Sequence, residues 1–140
     1  MARIIATGQT PAKKRHEHMR SVAEVLRILA QRLRYDEEAK DMVAFLVFNL
    51  RGIYSTIDES AQAWDDKGYW KKAEKLRDDW LWSRNIAREL EQLVRSNQWD
   101  AVPPVLISLI PHVSSITINA HTRDSDWWVG ACRALLREKA

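Results

Sequence analysis

Residues 42–50, MVAFLVFNL, form the longest apolar run of the chain and predict its central helix. Asn49 is the single polar residue in this run, so apolar side chains would surround the helix on nearly every side. A helix that is apolar almost all round is normally buried almost all round. The run is far shorter than the roughly 20 apolar residues that span a bilayer. We therefore expect a core helix and no membrane span.

Signals for the starts of the first two helices precede this run. Asp36, followed by Glu37 and Glu38, is typical of a helix start, because the aspartate caps free amides and the dipole favours negative charge. This central helix should continue to about Trp64. Upstream, Thr10-Pro11 predicts the start of a first helix that ends near Arg34. Its apolar stripe alternates steps of 3 and 4 and consists of Met19, Val22, Leu26, Leu29 and Leu33.

Tryptophan is concentrated downstream, in residues 64–83, WDDKGYWKKAEKLRDDWLWS, which carry four of the seven in the chain. After a turn at residues 65–68, a third helix is expected from about Tyr69 to Ser96. On such a helix Trp80 and Trp82 would lie about 200° apart, so they could not face one core. We expect Trp80 to face the bundle. A second apolar stripe would then consist of Trp82, Ile86 and Leu93.

Residues 101–122 contain no formally charged side chain. Their apolar positions alternate steps of 4 and 3, which predicts a helix kinked at Pro111, although two shorter helices would also fit. A short C-terminal helix follows, capped by Asp124 or Ser125. The chain is thus predicted to be all-α, an antiparallel bundle of four long helices plus a short C-terminal fifth helix. Residues 1–10 are expected to be a flexible segment, and residues 11–140 a single domain.

The net charge of +3 is unevenly distributed. Residues 1–34 hold eight Lys or Arg against two Glu, which gives +6, whereas residues 35–140 hold fourteen against seventeen acidic residues, which gives −3. One cysteine cannot form an internal disulfide, and the N-terminal sequence lacks the pattern of a secretory signal. These features favour a cytoplasmic protein.

The basic N-terminal residues suggest one partner class. One hypothesis is a weak nucleic-acid or anion site there. A solvated helix end is the preferred interpretation, since no base-reading motif accompanies the charge. The residues concerned are Lys13, Lys14, Arg15 and Arg20.

Catalytic and metal-binding patterns are not evident. Dinuclear metal sites in helical bundles use Glu-x-x-His pairs, and none of the four histidines has a glutamate three residues earlier. His121, Asp124 and Cys132 carry no surrounding catalytic signature, and there is no glycine-rich phosphate loop. We predict no catalytic residue, no metal and no cofactor.

A polar stripe on the predicted fourth helix permits two interpretations. It is either a mildly polar outer face or, as an alternative hypothesis, the wall of a small-molecule pocket lined by tryptophans. The residues of this pocket would be Ser108, His112, Ser115, Asn119, Trp80 and Trp128.

The favoured hypothesis is a non-enzymatic interaction or scaffold protein that forms a two-fold homodimer. Helices two, three and four carry more apolar surface than a four-helix monomer buries, and large exposed apolar patches mark interfaces. The predicted interface is the stripe of Trp82, Ile86 and Leu93, unless the C-terminal helix covers it. An unidentified protein partner is a further possibility, and a membrane is not expected.

Overall fold

The computed structural model describes residues 9–139, and the described residues contain helices and no strands, which confirms the all-α prediction. The predicted flexible segment of residues 1–10 falls almost entirely outside this range. No helix in the described part is long and apolar enough to cross a membrane. The α-helices are α1 (Pro11–Leu29), α2 (Glu37–Asp66), α3 (Trp70–Asp79), α4 (Leu81–Arg95), α5 (Val102–Val113), α6 (Ser125–Trp128) and α7 (Ala131–Arg137). A 3-10 turn, Trp99–Ala101, leads into α5.

Helix α2 is the centre of the molecule, as the sequence predicts. It contacts α1, α3, α4, α6 and α7, and its six consecutive residues 42–47 are all buried. Its start is fixed by Asp36, whose side chain accepts a hydrogen bond from the Ala39 amide at 2.9 Å. Helix α1 starts in the same way at Thr10, which accepts from the Lys13 amide at 3.2 Å.

Helices α1 and α2 run antiparallel. Lys14 forms an ion pair with Glu59 at 3.0 Å near one end of the pair, and Arg32, just after α1, reaches Glu38 at 2.6 Å near the other. Low residue numbers of α1 therefore oppose high numbers of α2. The buried residues Val22, Leu26 and Leu29 of α1 thus lie in one hydrophobic core with the buried residues of α2.

The predicted end of the first helix near Arg34 is wrong, because α1 ends at Leu29. Leu33, predicted to belong to the buried stripe, is 100% exposed. Asp36 already caps α2, so a helix that continued to Arg34 would leave almost no chain to reverse direction. Residues 30–36 form the reversal instead.

The predicted third helix is interrupted at Trp80, which separates α3 from α4. The Trp80 backbone leaves the helical region, with φ −112° and ψ 7°, and its carbonyl accepts bonds from both the amide and the hydroxyl of Ser83. Asp78 and Asp79 favour this break. Negative charge is unfavourable at the C-terminus of α3 but favourable just before the N-terminus of α4.

Helix α5 ends at Val113, so the prediction that it continues through residue 120 is wrong. Pro111 has no amide to donate to the preceding turn, and its ring crowds the backbone there, so the helix stops within three residues. Pro103 and Pro104 are tolerated because the first helical turn has no intrahelical partner for its amides. Residues 114–124 form an irregular segment.

The C-terminal region divides into α6 and α7 at Gly130, whose φ of +80° suits a residue without a β-carbon. Asp124 caps α6 by accepting from the Asp126 amide at 3.1 Å. Asp41 of α2 accepts from the amides of Gly130 and Cys132 at 3.1 and 2.9 Å. These bonds fix the start of α7 against the central helix.

Candidate interaction surface

Helix α5 presents an apolar face to solvent as well as one to the core. Its inner face packs into the hydrophobic core and consists of Val102, Val105, Leu106, Leu109 and Val113. Its outer face, defined by spacing of 4, 3 and 1 residues along the helix, consists of Pro103, Ile107, Ile110 and Pro111, with Pro104 at its edge. We call these five residues the α5 outer face.

Every residue of the α5 outer face is exposed. Ile107 is 66% and Ile110 46% accessible to solvent, and both are among the large apolar side chains that the fold leaves uncovered. Three of the five residues are prolines, whose rings restrict the backbone and have little side-chain freedom to lose on contact. The face is therefore apolar, uncharged and rigid.

One flank of α5 is attached to α4 through an aromatic stack. The His112 ring lies parallel to the Trp82 ring with centroids 4.0 Å apart, and the Trp80 ring is 5.7 Å from that of Trp82. Burial lowers the pKa of His112, which favours the neutral imidazole in this stack. The two tryptophans thus share one cluster, contrary to the expectation of opposite faces, because the helix breaks at Trp80.

The predicted ligand stripe is not assembled as one wall. Ser108 and His112 lie on α5, but Ser115 and Asn119 follow its end and are exposed. Trp128 lies elsewhere: its ring is 6.2 Å from that of Phe45, and its indole nitrogen donates to Glu38 at 3.4 Å. The structure brings Trp80 and His112 into one cluster and leaves Trp128 apart from them.

The stripe predicted as an interface is largely covered by the chain itself. Ile86 is 8% exposed, and Leu93 and Trp82 are half-buried against the core. The sequence analysis identified more apolar residues on α4 and α5 than a monomer would bury. It expected the exposed ones to lie on α4, whereas the structure exposes Ile107 and Ile110 of α5. The missed residues, Ile107 and Ile110, could have been found from the short uncharged helix that ends at Pro111.

Three of the four basic residues singled out near the N-terminus are used within the chain. Lys14 pairs with Glu59, and the Arg15 guanidinium donates to Thr56 at 3.1 Å and lies 5.6 Å above the Trp80 ring. Arg20 pairs with Glu24 at 2.8 Å. Lys13 is exposed and forms no ion pair with the described residues. Nucleic-acid binding at this helix stays a prediction.

A buried carboxylate anchors the irregular segment that follows α5. Glu24 of α1 is fully buried and accepts bonds from the Thr122 amide, the Thr122 hydroxyl and the Arg123 amide at 2.6, 2.9 and 3.1 Å. Burial alone would raise its pKa, but hydrogen bonds from Arg20, Arg123 and Thr122 outweigh it and lower the pKa to about 2. Ionised Glu24 therefore fixes the segment to α1.

Two arginines complete this anchor. Arg20 donates to the Ala120 carbonyl at 2.8 Å, and Arg27 donates to the Ile116 carbonyl. Backbone carbonyls of a segment without regular structure thus find hydrogen-bond donors on α1. Because the segment continues directly from α5, the anchor also holds the C-terminal end of α5 in place.

Cys132 and His121 lie in different surroundings. Burial, together with the carboxylates of Asp41 and Glu37, raises the pKa of the Cys132 thiol, which disfavours the reactive thiolate. His121 lies 3.6 Å from the Glu24 carboxylate that anchors the chain. Within residues 9–139, no three His, Cys, Asp or Glu side chains are grouped so as to hold a metal ion.

Comparison with known proteins gives no functional information. No protein-family model matches the sequence, and searches of the curated proteins and of the solved structures each gave no match. Function is therefore inferred from the residues and their arrangement.

Proposed function

We propose that the protein is an interaction or scaffold module that self-associates through the α5 outer face, most simply as a two-fold dimer. The exposure of Ile107 and Ile110 beside three exposed prolines is the observation that supports it. Contiguous exposed apolar surface on a soluble protein usually marks a protein–protein contact. The non-enzymatic role and the cytoplasmic location are part of this proposal.

A second copy of the chain is the occupant that fits this face best. The face carries no charge, so it offers no electrostatic feature that would select a charged partner. In a two-fold dimer the same face occurs on both copies, and apolar isoleucines meet apolar isoleucines. Two α5 helices related by a perpendicular two-fold axis also run antiparallel, which aligns their dipoles favourably.

The expected dimer is weak. A stable interface buries about 1,200–2,000 Å² in total, and one face of a three-turn helix supplies only part of that area. The fraction of protein in the dimer should therefore depend on protein concentration in the micromolar range.

Sedimentation equilibrium at several micromolar concentrations tests the proposal. Wild-type protein should approach twice the chain mass of 16.3 kDa as concentration rises. Ile107→Glu should remain monomeric with unchanged helix content, because the substitution places a charge in the contact without touching the core. Trp70→Glu is the matched control, since Trp70 is 72% exposed and lies on α3, which packs against α2 and α4. A monomeric wild type, or equal loss in both variants, would overturn the proposal.

A further inference from the structure

A polar groove lies between α2 and α4, on a different pair of helices from the α5 outer face. It has a volume of about 410 Å³ and is lined by Arg51, Tyr54 and Asp58 of α2 and by Arg84, Arg88 and Glu91 of α4. These residues recur every three or four positions, so each set lies along one side of its helix. The volume is within the range of small-molecule sites.

The acidic residues of this groove already have cationic partners. Glu91 is paired with Arg51 at 2.6 Å and with Arg95 at 2.8 Å, and Asp58 is paired with Arg77 at 3.2 Å. Arg51 has a further partner in Glu138 at 2.8 Å, so its charge is also compensated. The two carboxylates that line the groove are thus paired with arginines other than Arg84 and Arg88.

Arg84 and Arg88 supply the uncompensated charge. Neither forms an ion pair with any residue in the described range 9–139. The Nε atom of Arg84 is buried and has no hydrogen-bond acceptor there, and its guanidinium lies 5.8 Å from the centre of the Tyr54 ring. A buried donor without an acceptor is destabilising. An anion held in the groove would compensate the charges of the two guanidinium groups.

We propose that this groove binds the carboxylate of a small organic acid, with Arg84 and Arg88 as its cationic ligands. A planar carboxylate can accept hydrogen bonds from the terminal Nη groups of a guanidinium. The Tyr54 ring and the Ala87 methyl group, which also lines the groove, provide apolar surface for the carbon skeleton of the acid. Apolar surface beside two guanidinium groups favours an organic acid over inorganic phosphate.

Benzoate is the probe for this site, with inorganic phosphate as the comparison. NMR spectra of the arginine Nε–H groups should show a saturable shift of the Arg84 signal as benzoate is added at constant ionic strength. Arg84→Gln and Arg88→Gln should each weaken benzoate binding at least tenfold. Arg34→Gln, at an exposed arginine outside the helices, is the matched control and should bind as the wild type does.

A second measurement does not require the arginine signals to be resolved. In buffer without organic acids, Arg84→Met should raise the melting temperature, because it removes a buried donor without an acceptor. Benzoate should stabilise the wild type and leave Arg84→Met unchanged. Equal stabilisation of both proteins, tighter binding of phosphate than of benzoate, or no shift at saturating benzoate would overturn the assignment.

Discussion

Glu24 shows how one buried charge can hold an irregular segment. Its carboxylate bonds to residues 122 and 123, about a hundred positions further along the chain. Sequence spacing could not predict this, because a glutamate within the periodic pattern of α1 has the same local signature as a solvated one. The caps at Thr10 and Asp36, in contrast, were predictable, since their partners lie three residues away.

Glu24→Gln should destabilise the protein in a pH-dependent manner. The pKa of Glu24 is about 2 in the folded protein against 4.5 ordinarily, so ionised Glu24 stabilises the fold above pH 4.5. That contribution is about 3 kcal/mol and is lost as the pH falls from 4.5 towards 2. Urea unfolding of both proteins should therefore differ by about 3 kcal/mol at pH 7, and by much less near pH 2.

Glu59→Gln is the control for this experiment, because Glu59 forms an exposed ion pair with Lys14. Its effect should stay below about 1 kcal/mol. A difference between wild type and Glu24→Gln that does not change with pH would contradict the role assigned to the buried carboxylate.

Gly52 lies within α2, where glycine normally weakens a helix. A methyl group at this position would overlap the ring of His18 from α1. The ring is held in place because its Nδ1 lies 2.8 Å from the Asn49 side-chain oxygen, while the Asn49 amide donates to the Phe45 carbonyl. His18 Nδ1 must therefore carry the proton in this bond. The glycine allows close approach of the two helices.

Gly52→Ala should lower the free energy of unfolding by about 1–3 kcal/mol, despite the higher helix propensity of alanine. Burial lowers the pKa of His18, so displacement of its ring towards solvent should also raise that pKa, which NMR titration can measure. In a His18→Ala background the added methyl group meets no ring, and Gly52→Ala should then be neutral or stabilising. A destabilisation of equal size in both backgrounds would be inconsistent with the proposed overlap.

At the scale of elements, the break between α3 and α4 changes where the tryptophans lie. The 4 and 3 spacing continues through Trp80, so periodicity alone predicted one helix. The opposing signal was the acidic pair Asp78 and Asp79, which suits the start of a helix better than its middle. The same limitation applies to α5, whose apolar spacing continues to Ala120 although Pro111 ends the helix.

Trp82→Ala should destabilise the monomer without changing its self-association. The ring stacks on His112 and packs against the core, so its removal should cost about 2–3 kcal/mol by chemical unfolding. Trp82→Phe retains an aromatic ring for the stack and should cost less than half as much. If Trp82→Ala instead shifts the dimer equilibrium at unchanged stability, Trp82 belongs to the interface that the sequence suggested.

For the whole molecule, the sequence predicted the helix class and the central position of α2, because MVAFLVFNL cannot be solvated on any side. It also identified residues 101–122 as unusually free of charge. It could not determine which surplus apolar residues remain exposed, since that depends on how α4, α5 and the anchored segment pack together. Ile86 and Ile107 have the same character in sequence, but they are 8% and 66% exposed in the fold.

Intermolecular NOEs between isotope-labelled and unlabelled copies test the central claim most directly. With labelled isoleucine methyl groups in half of the molecules, contacts across the dimer should arise from Ile107 and Ile110, which are exposed, and their partners should include proline protons of the α5 outer face. Ile86, which is buried within the chain, should give none. Intermolecular contacts from Ile86 with none from Ile107 and Ile110 would contradict self-association through α5.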